Sequence, residues 1–200
     1  MDLDQHWQQV YQTKRPDTVS WFRPHLETSL QMLQCAGVSA GDSLIDVGGG
    51  ASTFVDDLLD VGFGDLTVLD VSSAALDVAR ARLGTRQGSV TWITADVTQV
   101  VLPAARYRVW HDRAVFHFLT SPEDQDRYLS QVRRAVVPGG FLILATFGPD
   151  GPRKCSGLPT ARYGSQELHA LFAPDFEPVE SREDWHTTPA GSAQQFVYCL

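Results

Sequence analysis

Ser43-Leu44-Ile45-Asp46-Val47-Gly48-Gly49-Gly50-Ala51-Ser52 is the stretch from which the fold can be read. Leu44, Ile45 and Val47 suit a strand buried on both faces of a sheet, and three glycines end it. Ser52 is placed to cap a helix carrying Phe54, Val55, Leu58 and Leu59. Strand, glycine turn and helix together bring backbone close to a ligand and aim helix N–H groups at it. By itself the stretch is compatible with almost any nucleotide.

Outward from this stretch, strands and helices alternate. Leu66–Asp70 reads as a second strand, with Ser72 or Ser73 capping a helix over 74–83 that stops at Gly84. Val90–Thr94 is a third strand, rich in β-branched and aromatic residues, and 107–111 a fourth. Ser121-Pro122-Glu123-Asp124 starts a helix that reaches Val136, after which Pro138-Gly139-Gly140 turns the chain into a strand over 141–147. Residues 148–163 form a connection longer than compact domains normally use, which points to a functional loop. A helix over Ser165–Phe172 follows, then strands near 177–185 and 194–199. Only residues 187–192 join those two, so they pair antiparallel. The first 40 residues carry Trp7, Tyr11, Trp21 and Phe22 and a helix over 24–36 ended by Gly37. They read as a helical cover over the rest. Alternating elements of this kind predict an α/β fold, a three-layer doubly wound and mostly parallel sheet.

Composition narrows the class. Two hundred residues, 43% hydrophobic and 20% charged, fit one soluble domain, and no apolar run is long enough to span a membrane. The expected partition is a cover (1–40), a cofactor-binding core (43–147) and an acceptor-side loop, helix and final hairpin (148–200). A formal net charge of −8 disfavours nucleic acid as a partner. The start, Met-Asp-Leu-Asp-Gln-His-Trp, lacks the pattern of a secretion signal. Cys35, Cys155 and Cys199 are scattered and odd in number, which fits a reducing, cytoplasmic setting, and the six histidines form no zinc motif.

Asp46, Asp70, Asp96 and Asp112 stand at the ends of the first four strands, so all four fall on one rim of the sheet. In open α/β sheets that rim is where ligands sit. Asp96 also suits a simple turn cap. Asp70 follows Gly50 by 20 residues, a spacing at which an acid binds both hydroxyls of a ribose. A dinucleotide fingerprint would want glycine or alanine where Thr53 stands, and Asp46 would add negative charge beside a pyrophosphate. A nucleoside with an amino-acid tail, carrying an ammonium and a sulfonium, matches the acidic rim better. A nucleotide-dependent reductase is weakened on the same grounds.

Asp46-Val-Gly-Gly-Gly50, Asp70, Asp96 and Pro138-Gly-Gly140, in this order, resemble the class I S-adenosylmethionine-dependent methyltransferases. The resemblance covers about residues 43–147. It implies a seven-stranded sheet with a reversed last strand, matching the antiparallel ending. It also implies that Gly48 and Gly50, with Gly49 between them, approach the methionine part of the cofactor while Asp46 holds its amino group. Asp70, followed by Val71, would take the ribose diol, and Asp96 and Val97 would flank adenine. Apart from the resemblance, Tyr11, Trp21 and Phe22 either pack the cover or form a hydrophobic lid over the cofactor. A narrower resemblance lies in Trp7-x-x-x-Tyr11, Trp21-Phe22 and Asp112-Arg113, which look like lysine methyltransferases that modify elongation factors. Those carry an acid followed by Lys-Gly where this chain has Arg113-Ala114.

Methyl transfer from a sulfonium is an in-line displacement, which needs alignment and exclusion of water more than covalent help. Asp112 and His117, just beyond the fourth strand, are the expected catalytic groups; His117 is either a base or, as a His within Phe-His-Phe more often is, a packed residue at a helix start. Cys155, Arg162, Tyr163, Lys14 and the pair Trp185-His186 are further candidates for pocket walls, and Cys155 is not needed as a nucleophile. The favoured acceptor is a small molecule, given a closing cover and no appended recognition domain. A protein lysine is the alternative, and a non-catalytic cofactor-binding regulator the third reading.

Overall fold

Alternation along the strands decides which layer each side chain joins. In a computed structural model that describes residues 3–173 and 175–200, β1 (Leu44–Val47), β2 (Leu66–Asp70), β3 (Val90–Thr94), β4 (Tyr107–Arg113) and β5 (Val136–Phe147) run parallel. A short hairpin follows, β6 (Lys154–Cys155) with β7 (Leu158–Pro159). Strands β8 (Ser181–Thr187) and β9 (Ala193–Cys199) complete a seven-stranded sheet in the order β3-β2-β1-β4-β5-β9-β8. β9 runs antiparallel to both β5 and β8, as expected from the short 187–192 connection. The order reverses between β1 and β4, and a crevice opens there beyond the carboxyl ends of the strands.

Leu44, Leu66, Val68, Val109, Ile143 and Ala145 share one sheet face. They pack under α2 (Glu27–Cys35), α3 (Phe54–Asp60) and α4 (Ser73–Leu83). Ile45, Val47, Leu69, Trp110, Leu142 and Leu144 share the other, under α5 (Pro122–Ala135) and α6 (Ser165–Phe172). Burying one such side chain contributes about 1.5–3 kcal/mol. Seven residues are too few for a helix to persist alone, so α3 is held by Phe54, Val55 and Leu58 at the sheet and not by propensity.

Several boundaries differ from expectation. α3 starts one residue after Thr53, and the Ser52 hydroxyl accepts from the Phe54 amide at 3.1 Å. α2 starts at Glu27, three residues past Pro24. β4 runs on to Arg113, and Pro138-Gly139-Gly140 lies within β5 as an irregular entry between the Tyr107–Val136 and Val109–Phe141 pairs. The long loop holds the β6–β7 hairpin, whose turn residues Ser156 and Gly157 both have positive φ (51° and 82°), as a two-residue hairpin requires. The cover begins with α1 (Leu3–Thr13); Met1 and Asp2, the start of the expected cover, lie outside the described residues. Among the described residues no helix is long and apolar enough to cross a membrane.

Candidate active site

The glycine turn leaves β1 with Gly48 at φ +68°, and its amide donates to the Leu69 carbonyl at the end of β2 (2.7 Å). A side chain at Gly49 would run into the Asp46 carboxylate, and one at Gly50 would come within 2.5 Å of Asp70 Oδ2. The carboxylates therefore reach directly beneath the turn. Asp46 is buried and its Oδ1 lies 2.7 Å from His111 Nδ1, the residue opposite it in β4. His111 Nε2 meets the Ser29 hydroxyl at 2.9 Å, and its ring lies 4.2 Å from that of Phe54. Asp46 is thus oriented by a buried three-member chain.

Asp70 ends β2, and its Oδ1 accepts from the Ser72 amide at 2.8 Å. Burial, opposed by that amide and reinforced by the charge of Asp46, pushes its pKa up to about 7. Asp96 accepts from the Thr98 amide and hydroxyl (both 2.8 Å) and from the Gln99 side chain (2.7 Å). It caps a turn, and with Val97 it also lines the cavity.

That cavity opens beyond β1 to β4, with Asp70, Val71, Asp96 and Val97 on one side and Trp7, Phe118, Phe147 and Cys155 on the other. A second hollow holds Asp46, Gly49 and His111, and Gly48, Tyr11, Trp21 and Arg113 border both. Gly50 lines neither; it backs Asp70. Helix α1 crosses the opening, although Val10 is its one fully buried residue. Polar and aromatic contacts hold it instead. Gln8 Oε1 accepts from the Ser72 hydroxyl (3.0 Å) and the Ala74 amide (3.1 Å) at the start of α4. Trp7 meets Trp21 and Phe118 edge-on at 5.5 and 5.2 Å, and Trp21 Nε1 donates to the Tyr11 hydroxyl at 3.1 Å. His6 reaches Ser156 at the tip of the hairpin (3.2 Å).

Neither Asp112 nor His117, the expected catalytic pair, reaches the cavity. Asp112 is fully buried and accepts from the Val115 amide (2.9 Å), the Phe116 amide (3.1 Å) and the Tyr128 hydroxyl (2.6 Å). Trp110 Nε1 donates in turn to Tyr128 (2.9 Å). Asp112 therefore builds the turn after β4, and burial raises its pKa to about 6 despite three donors. His117 is equally buried, stacked on Phe147 at 4.3 Å, and its Nδ1 accepts from the Phe147 amide at 3.2 Å. Burial, aided by the charge of Arg113, lowers its pKa to about 3, so it stays a neutral, packed ring. Of the other expected walls, Arg162 donates to the Pro149 carbonyl and Tyr163 accepts from Gln125, both away from the cavity. His186 is buried against the cover, accepting from Arg23 Nε (3.1 Å) while its Nε2 meets the Ser20 carbonyl (2.8 Å).

Three residues matter here beyond the expected site: His111, Arg113, which the sequence marks only as the neighbour of Asp112 in the narrower resemblance, and Gln8. Period-two alternation carries the signal for the first two. Once β4 extends to Arg113, His111 and Arg113 share one face and Asp112 takes the other. Nothing local marks Gln8.

Residues 44–140 match the family described as a methyltransferase domain. A mouse protein named eEF1A lysine and N-terminal methyltransferase is 23% identical over 144 residues, 69% of this chain and 20% of its own length. The chain thus spans about a fifth of that relative. The bovine EEF1A lysine methyltransferase 4 is 26% identical over 193 residues, covering 86% of this chain and 71% of itself. Among solved structures, the 1,6-didemethyltoxoflavin N1-methyltransferase of Burkholderia thailandensis, bound to S-adenosylhomocysteine, superposes with a TM-score of 0.74. It is 21% identical and the match covers 98% of this chain and 86% of that one. The cofactor of this domain class is S-adenosylmethionine, and the cradle fits it. Side chains at Gly48, Gly49 and Gly50 would collide with Val115, Asp46 and Asp70, and the carboxylates of Asp70 and Asp96 line the cavity, as a ligand with hydroxyls and positive charge would need.

Because the folded pKa of Asp70 is raised, the unliganded protein loses stability as pH climbs from about 4 through about 7, where the unfolded chain releases this proton more readily. Asp70→Asn is expected to flatten that decline, raising the melting temperature at pH 8, while weakening S-adenosylhomocysteine at least about tenfold by calorimetry. Asp112→Ala leaves three buried donors without an acceptor. Chemical denaturation should show a loss of about 3 kcal/mol or more.

Proposed function

We propose, proceeding from a chain whose residues 44–140 are an S-adenosylmethionine-dependent methyltransferase domain, that it methylates a nucleophilic small molecule held beneath the cover. The observation that carries this reading is the latching of α1. Gln8 bridges to the start of α4, and Trp7, Trp21 and Phe118 close edge to face across the cavity. An acceptor must share that enclosed, largely apolar space, which favours a compact molecule over a side chain tethered to a folded protein.

The chemistry supplied by the bound cofactor is an electrophilic methyl group on a sulfonium. The chain's own residues bind, align and dry the site. Asp70 would accept from the ribose hydroxyls, Asp46 with Gly48 and Gly49 would take the methionine end, Val71, Asp96 and Val97 would border the adenine end, and Gly50 makes room for Asp70 behind the turn. His111 fixes the orientation of Asp46. The rings of Trp7, Trp21 and Phe118 exclude water, which strengthens the hold of the acids on a cationic ligand. No proton transfer falls to Asp112 or His117, whose polar atoms are occupied or sealed in the core. A cytoplasmic location belongs to the same proposal.

A protein lysine is the second reading, favoured by the names of the relatives that match most of the chain. Radiolabelled cofactor incubated with the protein and a fractionated cell extract separates the two. Label is expected in the small-molecule fraction; label in a protein band supports the second reading, and tight cofactor binding without label supports a non-catalytic role. Gln8→Ala, which removes the latch at α4, should raise the dissociation constant of S-adenosylhomocysteine by about threefold to tenfold and speed its release in stopped flow.

A further inference from the structure

Arg113 ends β4 and borders both hollows. Register places it opposite Ala145 of β5, and Ala145 opposite Tyr198 of β9. All three share one sheet face, so the small Ala145 lets the arginine lie across β5. Its Nε donates to the Tyr198 hydroxyl (3.0 Å), its Nη1 donates to the Trp21 carbonyl (3.1 Å), and its guanidinium carbon sits 4.6 Å from the Phe196 ring centre. The cation is held rigidly by three contacts, none of which carries a negative charge.

Its Nη2 is buried with no hydrogen-bond partner, while the acids Asp46, Asp70 and Asp96 turn to His111, Ser72 and Thr98. A guanidinium with a buried, unpaired nitrogen calls for an anion, and a carboxylate is the anion that pairs with two of its N–H groups at once. Arg113 is also the one basic side chain among the described residues lining the main cavity. The strand order separates it from two of the acids. Asp70 and Asp96 follow β2 and β3 on one side of β1, while the guanidinium leans over β5 towards β9 on the other. Phe118 and Phe147, also in the cavity wall, provide an apolar surface nearby.

We propose that Arg113 is a binding residue for the methyl acceptor and receives a carboxylate on a small, apolar-bodied molecule. This rests on the small-molecule reading of the cavity and names the class of that acceptor. The guanidinium binds and orients; the acidic end holds the cofactor, so the two ligands enter one cavity sorted by charge.

The test begins with wild-type protein saturated with S-adenosylhomocysteine; failure of that ligand to bind sinks the methyltransferase reading itself. Benzoate and its neutral counterpart benzamide are then titrated into the loaded protein and followed by thermal shift and calorimetry. Benzoate is expected to bind at least about tenfold more tightly than benzamide, a preference lost in Arg113→Gln and partly kept in Arg113→Lys. Equal binding of the two probes, or an unchanged preference in Arg113→Gln, overturns the proposal. So does weaker S-adenosylhomocysteine binding in Arg113→Gln with 5′-methylthioadenosine unaffected, because that result assigns the guanidinium to the cofactor's own carboxylate. Should Arg113→Gln fail to fold, Tyr198→Phe keeps the charge and releases Nε. It is expected to reduce the benzoate preference, and an unchanged preference there counts against the proposal.

Discussion

Two carboxylates occupy the space that side chains on two successive glycines would need. Asp46 lies against Gly49 and Asp70 against Gly50, and every other feature of the site follows from that crowding. Any Cβ at these glycines would push an acid away from the turn or push the turn away from β2. The glycines thus serve two ends at once, leaving the backbone bare on the ligand side and admitting buried acids on the other. Burial keeps those acids poised. Asp70 has few donors of its own, its pKa climbs to about 7, and a ligand that brings hydroxyls supplies the partners the fold withholds.

The cover depends on the same corner. Ser72 both donates its amide to Asp70 and gives its hydroxyl to Gln8, so the residue that caps α4 also ties α1 to the cofactor acid. A helix with one fully buried side chain would otherwise have little reason to stay in place. Rings supply the rest, with Trp7 between Trp21 and Phe118 and Trp21 hydrogen-bonded to Tyr11. Those contacts make part of the cavity wall apolar, and beside an apolar wall the separation of Asp70 and Asp96 from Arg113 has more electrostatic force than it would in water.

Much of the fold was legible because each signal was local. Ser121-Pro122 and Ser72 start helices where their caps predict, and the hydroxyls do accept from Asp124 and Ala75 amides. Gly37 and Gly84 end helices with positive φ. Less legible were places where partners override local chemistry. Pro138-Gly139-Gly140 reads as a turn, yet β4 draws it into the entry of β5. Of the rim acids, Asp70 and Asp96 line the cavity as their strand-end positions suggest, and Asp46 borders the neighbouring hollow. Asp112 does not, because β4 continues through it to Arg113 and its carboxylate is taken up by the Val115 and Phe116 amides and the Tyr128 hydroxyl.

By itself the sequence determined the alternating α/β layout, the parallel sheet with its reversed ending, and the strand-end places of Asp70 and Asp96. These depend on backbone geometry, capping and spacing, which neighbouring residues dictate. Only the tertiary structure decided which polar residues face the cavity. His111 meets Asp46 through β1–β4 register, Arg113 reaches Tyr198 across Ala145, and His117 is sealed against Phe147. Each outcome turns on side chains brought together from distant strands, where a shift of one residue in register reverses the face on which an acid or a base appears.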